Sequence, residues 1–129
     1  MDDSKVHIGT SGWHYRHWKG PFYPAEMKPD AYLDYYRQYF KTVELNNTFY
    51  RLPEKKTLKD WAQKVPEKFL FSVKASRYIT HIRRLRDPRK SIMKFFRAIK
   101  SLGGHHGPVL FQLPPRWHAN EERLAAFLK

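Results

Sequence analysis

The sequence predicts an α/β fold built from four successive βα units with parallel strands. Three observations predict it. Four short apolar runs recur along the 129 residues, amphipathic helical patterns separate them, and no linker, low-complexity tract or long repeat interrupts the alternation. Strands that alternate with helices pair in parallel through right-handed crossovers. The whole of residues 1–129 reads as one domain.

The expected strands are Val6–Gly9, Thr42–Asn46, Phe69–Ala75 and Pro108–Leu113, each bounded by Gly, Pro or polar residues. The first helix is expected over about Pro29–Phe40, with Leu33, Tyr36 and Phe40 on one face. The second covers about Glu54–Lys64, with Leu58, Trp61 and Val65 at helical spacing. The third has the clearest punctuation: Asp87 as cap, Pro88 in the first turn and Gly103-Gly104 at the end. Its apolar stripe is Ile92, Phe95, Phe96, Ile99 and Leu102, and its opposite face carries Lys90, Lys94 and Arg97. A fourth helix starts near Asn120, with Leu124, Phe127 and Leu128. The doublet Pro114-Pro115 keeps the fourth strand from running straight into it.

Alternation along the strands separates two faces. Val43 and Leu45 oppose Glu44 and Asn46; Phe71, Val73 and Ala75 oppose Ser72 and Lys74; Val109, Phe111 and Leu113 oppose Leu110 and Gln112. A parallel strand buried on both sides is normally apolar on both. Here one face carries polar groups near the C-terminal strand ends. In a barrel the apolar face meets the helices and the polar face lines the upper interior, where barrel active sites sit.

Composition narrows the function classes. Hydrophobic residues make up 41% and aromatics 16%, which is core material rather than the composition of a disordered chain. There is no cysteine, which excludes disulfides, thiolate metal sites and a cysteine nucleophile. No apolar run approaches the roughly 18 residues that span a bilayer. The start, Met1 to Lys5, is polar and lacks the apolar segment of a secretory signal. A cytoplasmic protein with no membrane partner is the expectation. The net charge of +13 favours polyanions, and the excess is partly local: Arg77 to Lys100 holds nine basic residues against Asp87. Charge alone gives no specificity, and a solvated basic face explains it as well.

Four motifs carry a resemblance. They are Gly9-Thr10-Ser11-Gly12-Trp13 with Tyr15 and Trp18; Val43 to Pro53; Phe71-Ser72-Val73-Lys74-Ala75 with Ile79-Thr80-His81; and Gly107 to Pro115. Their order and content resemble the YecE-like family, domain of unknown function 72, over nearly the whole chain. The resemblance implies a parallel (β/α) TIM-type barrel of about twice this length, present here as a half barrel of about four units. Family site residues on later strands would then be absent. Likeness of that fold to sugar isomerases and to a metal-dependent DNA-repair endonuclease is an analogy of fold, since barrels host many chemistries.

Glu44, Asn46, Lys74 and Gln112 are the leading constellation, expected to converge on one cavity. Glu44 suits a general base, and Lys74 a proton donor, phosphate anchor or Schiff-base nucleophile. A buried Glu–Lys ion pair that closes the interior is the structural alternative. Thr10 and Ser11 belong to a Gly-bounded turn whose amides and hydroxyls suit an anion, though a tight βα turn needs the same glycines. It lacks the lysine and spacing of a Walker loop.

Trp13 opens an aromatic and basic run to Lys19. Such a run suits stacking on sugars or single strands, or packing over a barrel mouth. Asn47, Tyr50, Arg51, Arg77, Tyr78 and His81 follow strand ends, as mouth-lining or ordinary surface residues. His14 with His17, and His105 with His106, lack carboxylates to complete a metal shell, so no metal or cofactor is expected.

The functional expectation is an anionic ligand, nucleic acid or a phosphorylated small molecule, at the C-terminal strand ends. The rivals are a small-molecule lyase or isomerase using Glu44 and Lys74, and an inactive truncated fragment. Open sheet edges add an expectation of self-association.

Overall fold

The computed structural model describes residues 6–129. The polar stretch at residues 1–5, read above as lacking a signal, lies outside the described residues. Four parallel strands stand in chain order: β1 (Thr10–Ser11), β2 (Thr42–Leu45), β3 (Leu70–Lys74) and β4 (His106–Leu110). Helices α1 (Tyr32–Tyr36), α2 (Lys55–Gln63), α3 (Arg89–Ile99) and α4 (Glu121–Leu128) complete four βα units in a half-barrel-like α/β arrangement. No helix among the described residues is long and apolar enough to cross a membrane.

The apolar strand face builds the core as alternation requires. Val43, Leu45, Phe71, Val73 and Ala75 are buried, with Leu33 and Tyr36 of α1, Leu58 of α2, and Phe95 and Ile99 of α3 in the same cluster. Glu44, Ser72 and Lys74 stay partly exposed on the other face. The registers Ser11 with Glu44 and Glu44 with Ser72 align these side chains across the sheet.

Tyr36 ties α1 to the strands. Its hydroxyl accepts from the Thr10 amide at 3.0 Å and donates to the Thr42 carbonyl at 2.9 Å. Burial pushes its phenol above the usual tyrosine value, and the hydrogen bonds from Thr10 partly offset this. The expected helix over Pro29–Phe40 is a 3-10 turn at Pro29–Ala31 followed by α1, with Phe40 packed against the core beyond it.

Four expectations are corrected. The first strand pairs only at Thr10–Ser11, past the expected Val6–Gly9, and Val6 and Ile8 are 69% and 73% exposed. At Gly9 the chain passes so close to Thr42 that a Cβ would stand 2.2 Å from its carbonyl oxygen. The fourth strand runs His106–Leu110, starting two residues and ending three residues before the expected bounds, so Gln112 lies past its end and is exposed. The β3–β4 register also shifts between Phe71 and Val73. Pro108 sits in this stretch and has no N–H to donate, and its carbonyl lies 3.3 Å from the Ser72 hydroxyl.

Asp87 does not cap α3. Its carboxylate instead takes the Arg83 guanidinium at 2.8 Å, and Pro88 occupies the cap position. Phe96, expected on the apolar stripe, is 39% exposed, whereas Phe95, Ile99 and Leu102 are buried. Lys90, Lys94 and Arg97 are exposed as expected. Asn120 caps α4, accepting from the Arg123 amide at 2.9 Å, and Phe127 packs edge-on to Phe111.

Candidate functional site

The C-terminal ends of β1 and β2 open into a cavity of about 540 Å³. Trp13, Asn46, Asn47 and Tyr50 line it, together with Glu44, Tyr15, Trp61 and Lys64. Trp13 itself is buried, its ring edge-on to Trp61 with centroids 4.9 Å apart. Tyr23 lies under it and donates its hydroxyl to the Trp13 carbonyl, and burial raises the Tyr23 phenol far above its usual value.

The turn after β1 consumes its own polar groups. Thr10 Oγ1 donates to the Gly12 carbonyl at 2.7 Å and meets the Tyr36 hydroxyl at 2.9 Å. Ser11 Oγ donates to Glu44 Oε1 at 2.8 Å, and the Tyr15 hydroxyl donates to the Ser11 carbonyl. Gly12 sits at φ +87°, where an added Cβ would also stand 2.9 Å from the Tyr15 hydroxyl. The left-handed backbone and this close approach together account for the glycine.

Glu44 and Lys74 do not pair. Glu44 is level with Ser11 and Ser72, while Lys74 stands two residues beyond Ser72, level with Leu110. That offset is about 6.6 Å along the strand. Glu44 turns to Ser11, and the Lys74 ammonium sits over the Phe49 ring, 4.8 Å from its centre. In place of the ion pair that was the structural alternative stand a hydroxyl–carboxylate hydrogen bond and a cation–π contact.

Phe49 joins a second group of residues. The His81 ring lies edge-on to it at 4.9 Å, and so does the Tyr50 ring. His81 Nδ1 is 2.8 Å from the Thr80 hydroxyl. Burial holds the His81 imidazolium below the usual histidine value, and the positive charges of Arg77 and then Lys74 push the same way. Both cations thus disfavour the charged form of His81. Arg77 is exposed at the end of this strand unit. Gln112 joins neither group.

Two residues that sequence reading passed over organise the site. Thr48 is fully buried, and its hydroxyl lies 2.8 Å from the Leu45 carbonyl and 2.6 Å from the Lys74 carbonyl. It fastens the ends of β2 and β3 together. Phe49 is in contact with both Lys74 and His81. A small polar residue before an aromatic, directly after a strand, was the available signal. Among the described residues, no group of three or more His, Asp or Glu side chains stands close enough together to hold a metal ion.

Comparison with known proteins places the chain. It is 31% identical over 126 residues to the UPF0759 protein YunF of Bacillus subtilis, covering 93% of this chain and 44% of that protein. The crystal structure of a DUF72 family protein (TM1631) from Thermotoga maritima superposes with a TM-score of 0.80 at 31% identity, over 95% of this chain and 49% of that one. A second DUF72 family protein (EF0366), from Enterococcus faecalis V583, shares the fold at a TM-score of 0.64 and 22% identity, over 77% of this chain and 41% of that one. The chain thus spans about half the length of these relatives. The family profile described as "Protein of unknown function DUF72" matches residues 7–129, and the chain belongs to that family.

Proposed function

We propose that the C-terminal ends of β2 and β3 bind an anionic ligand, a nucleic-acid segment or a phosphorylated compound. The observation that carries this is the meeting of Lys74 and His81 on the Phe49 ring, with the Arg77 charge acting on His81, while the nearest sheet carboxylate, Glu44, is held by Ser11. An imidazole whose charged form two cations disfavour takes up a proton more readily once an anion offsets their charge. Lys74 and Arg77 supply the attraction, and the exposed Tyr50 ring supplies a flat apolar neighbour. The net charge of +13 raises the local concentration of any polyanion at low salt.

Titration of a labelled single-stranded oligonucleotide, with inorganic phosphate as competitor, tests this reading. Lys74→Met and Arg77→Ala should each weaken binding and lower its salt dependence by about one ion. Charge reversal at Lys90, Lys94 and Arg97, on the exposed face of α3, should weaken it less. If only the α3 reversal matters, the anion sits on the helical face and the strand-end site is refuted.

A further inference from the structure

A second cavity, of about 510 Å³, lies between the loops that follow β3 and β4. Its walls are Arg84 from the first loop and Pro114 to Asn120 from the second. We propose that this cavity binds one nucleotide unit, with the base against Trp117 and the phosphate on Arg84 and Arg116. The inference is independent of Lys74 and Arg77.

The volume falls within the range of small-ligand sites, roughly 300–1,000 Å³. Trp117 lines it, partly buried against the core, and the Arg123 guanidinium lies 5.8 Å from the indole centre, so the ring already meets a planar cation. A nucleobase is the planar partner suited to the remaining surface, because every base offers a π face. Both candidate phosphate ligands are arginines. A guanidinium grips phosphate through two parallel N–H donors. Neither ion pair among the described residues, Asp34 with Arg37 or Asp87 with Arg83, involves Arg84 or Arg116.

The walls are held in place from behind. Leu85, next to Arg84, is buried, and its amide donates to the Ile79 carbonyl at 3.0 Å. Pro114 and Pro115 stiffen the other wall, and the Trp117 amide contacts the Pro114 carbonyl at 3.4 Å. Asn120 is committed to capping α4. Glu121 and Glu122 occupy the first turn of that helix and repel an anion there. That leaves Arg84 and Arg116 as the phosphate ligands, and His118 lines the same cavity.

A free mononucleotide and one unit of a single strand share this chemistry. The test titrates the full chain at low salt with adenosine 5′-monophosphate, a short single-stranded deoxythymidylate and inorganic phosphate, read by tryptophan fluorescence and by anisotropy of the labelled strand. Both nucleotide ligands should quench indole emission, and Trp117→Phe should remove that quench while keeping most of the affinity. Trp117→Ala and the double change Arg84→Ala with Arg116→Ala should each weaken binding roughly tenfold. These arginines are exposed, so the fold should survive their loss, and Lys74→Met should leave the quench intact. A strand at least tenfold tighter than the mononucleotide assigns single-stranded nucleic acid; equal affinities assign a free nucleotide. Unchanged binding in the Trp117→Ala and double-arginine variants overturns the proposal. So does inorganic phosphate displacing the strand as effectively as the mononucleotide does.

Discussion

The Lys74 ammonium rests 4.8 Å from the centre of the Phe49 ring, not beside the Glu44 carboxylate on the neighbouring strand. The two charges share a sheet face but sit at different levels along it, and each has found another partner. Their coupling should therefore be small. In a double-mutant cycle of Glu44→Gln and Lys74→Met, followed by urea unfolding, the interaction energy should be below about 1 kcal/mol, as for an exposed pair. A buried ion pair would instead lose about 3–5 kcal/mol when one partner is removed.

Thr48 should matter more to stability than either charge. Its buried hydroxyl serves the Leu45 and Lys74 carbonyls. Thr48→Val keeps the volume but leaves these acceptors without a donor, at a cost of about 1–3 kcal/mol. Thr48→Ser should recover much of that loss. Equal stability of Thr48→Val and the parent in chemical denaturation would contradict this fastening role.

How much was legible in the sequence follows from which interactions are local. Strand alternation placed Val43, Leu45, Phe71, Val73 and Ala75 in the core and Glu44, Ser72 and Lys74 on the open face, because a pleat leaves no other option. The start of the fourth helix near Asn120 was legible for the same reason. Asp87 failed as a cap because Arg83, one turn earlier, competes for its carboxylate. The end of β4, and with it Gln112, was misjudged because a register shift at the partner strand is a property of the pair. Phe49 and Thr48 were passed over because their roles come from β3 residues more than twenty positions away.

Open edges should drive association of the chain. Among the described residues β1 and β4 each pair on one side only, and Val6 and Ile8 beside β1 and Leu110 on β4 are exposed. Sedimentation velocity should show concentration-dependent self-association of residues 1–129. Added salt should strengthen it by screening the +13 charge. Nucleic-acid binding should weaken under the same change. A salt-independent monomer would contradict the expectation.

His81 also makes stability pH-dependent. Its folded-state affinity for a proton is below that of the unfolded chain, so the unfolded state binds more protons as pH falls. The stability it supports is present above the unfolded value of about 6.5 and is lost as pH drops through the lower folded value. Melting temperatures recorded from pH 7.5 to 5 should fall less steeply in His81→Gln than in the parent. Parallel curves would show that His81 titrates as it does in an unfolded chain.

The most direct measurement is the NMR titration of the His81 imidazole with and without an anion. Without ligand the apparent pKa should lie below 6.5, held down by burial and by Arg77 and Lys74. Phosphate or a single-stranded oligonucleotide at the strand ends should raise it, and Lys74→Met with Arg77→Ala should abolish that rise. An imidazole that titrates identically with and without the anion, under conditions where the anion binds the protein, would contradict a site built from Lys74, Arg77 and His81.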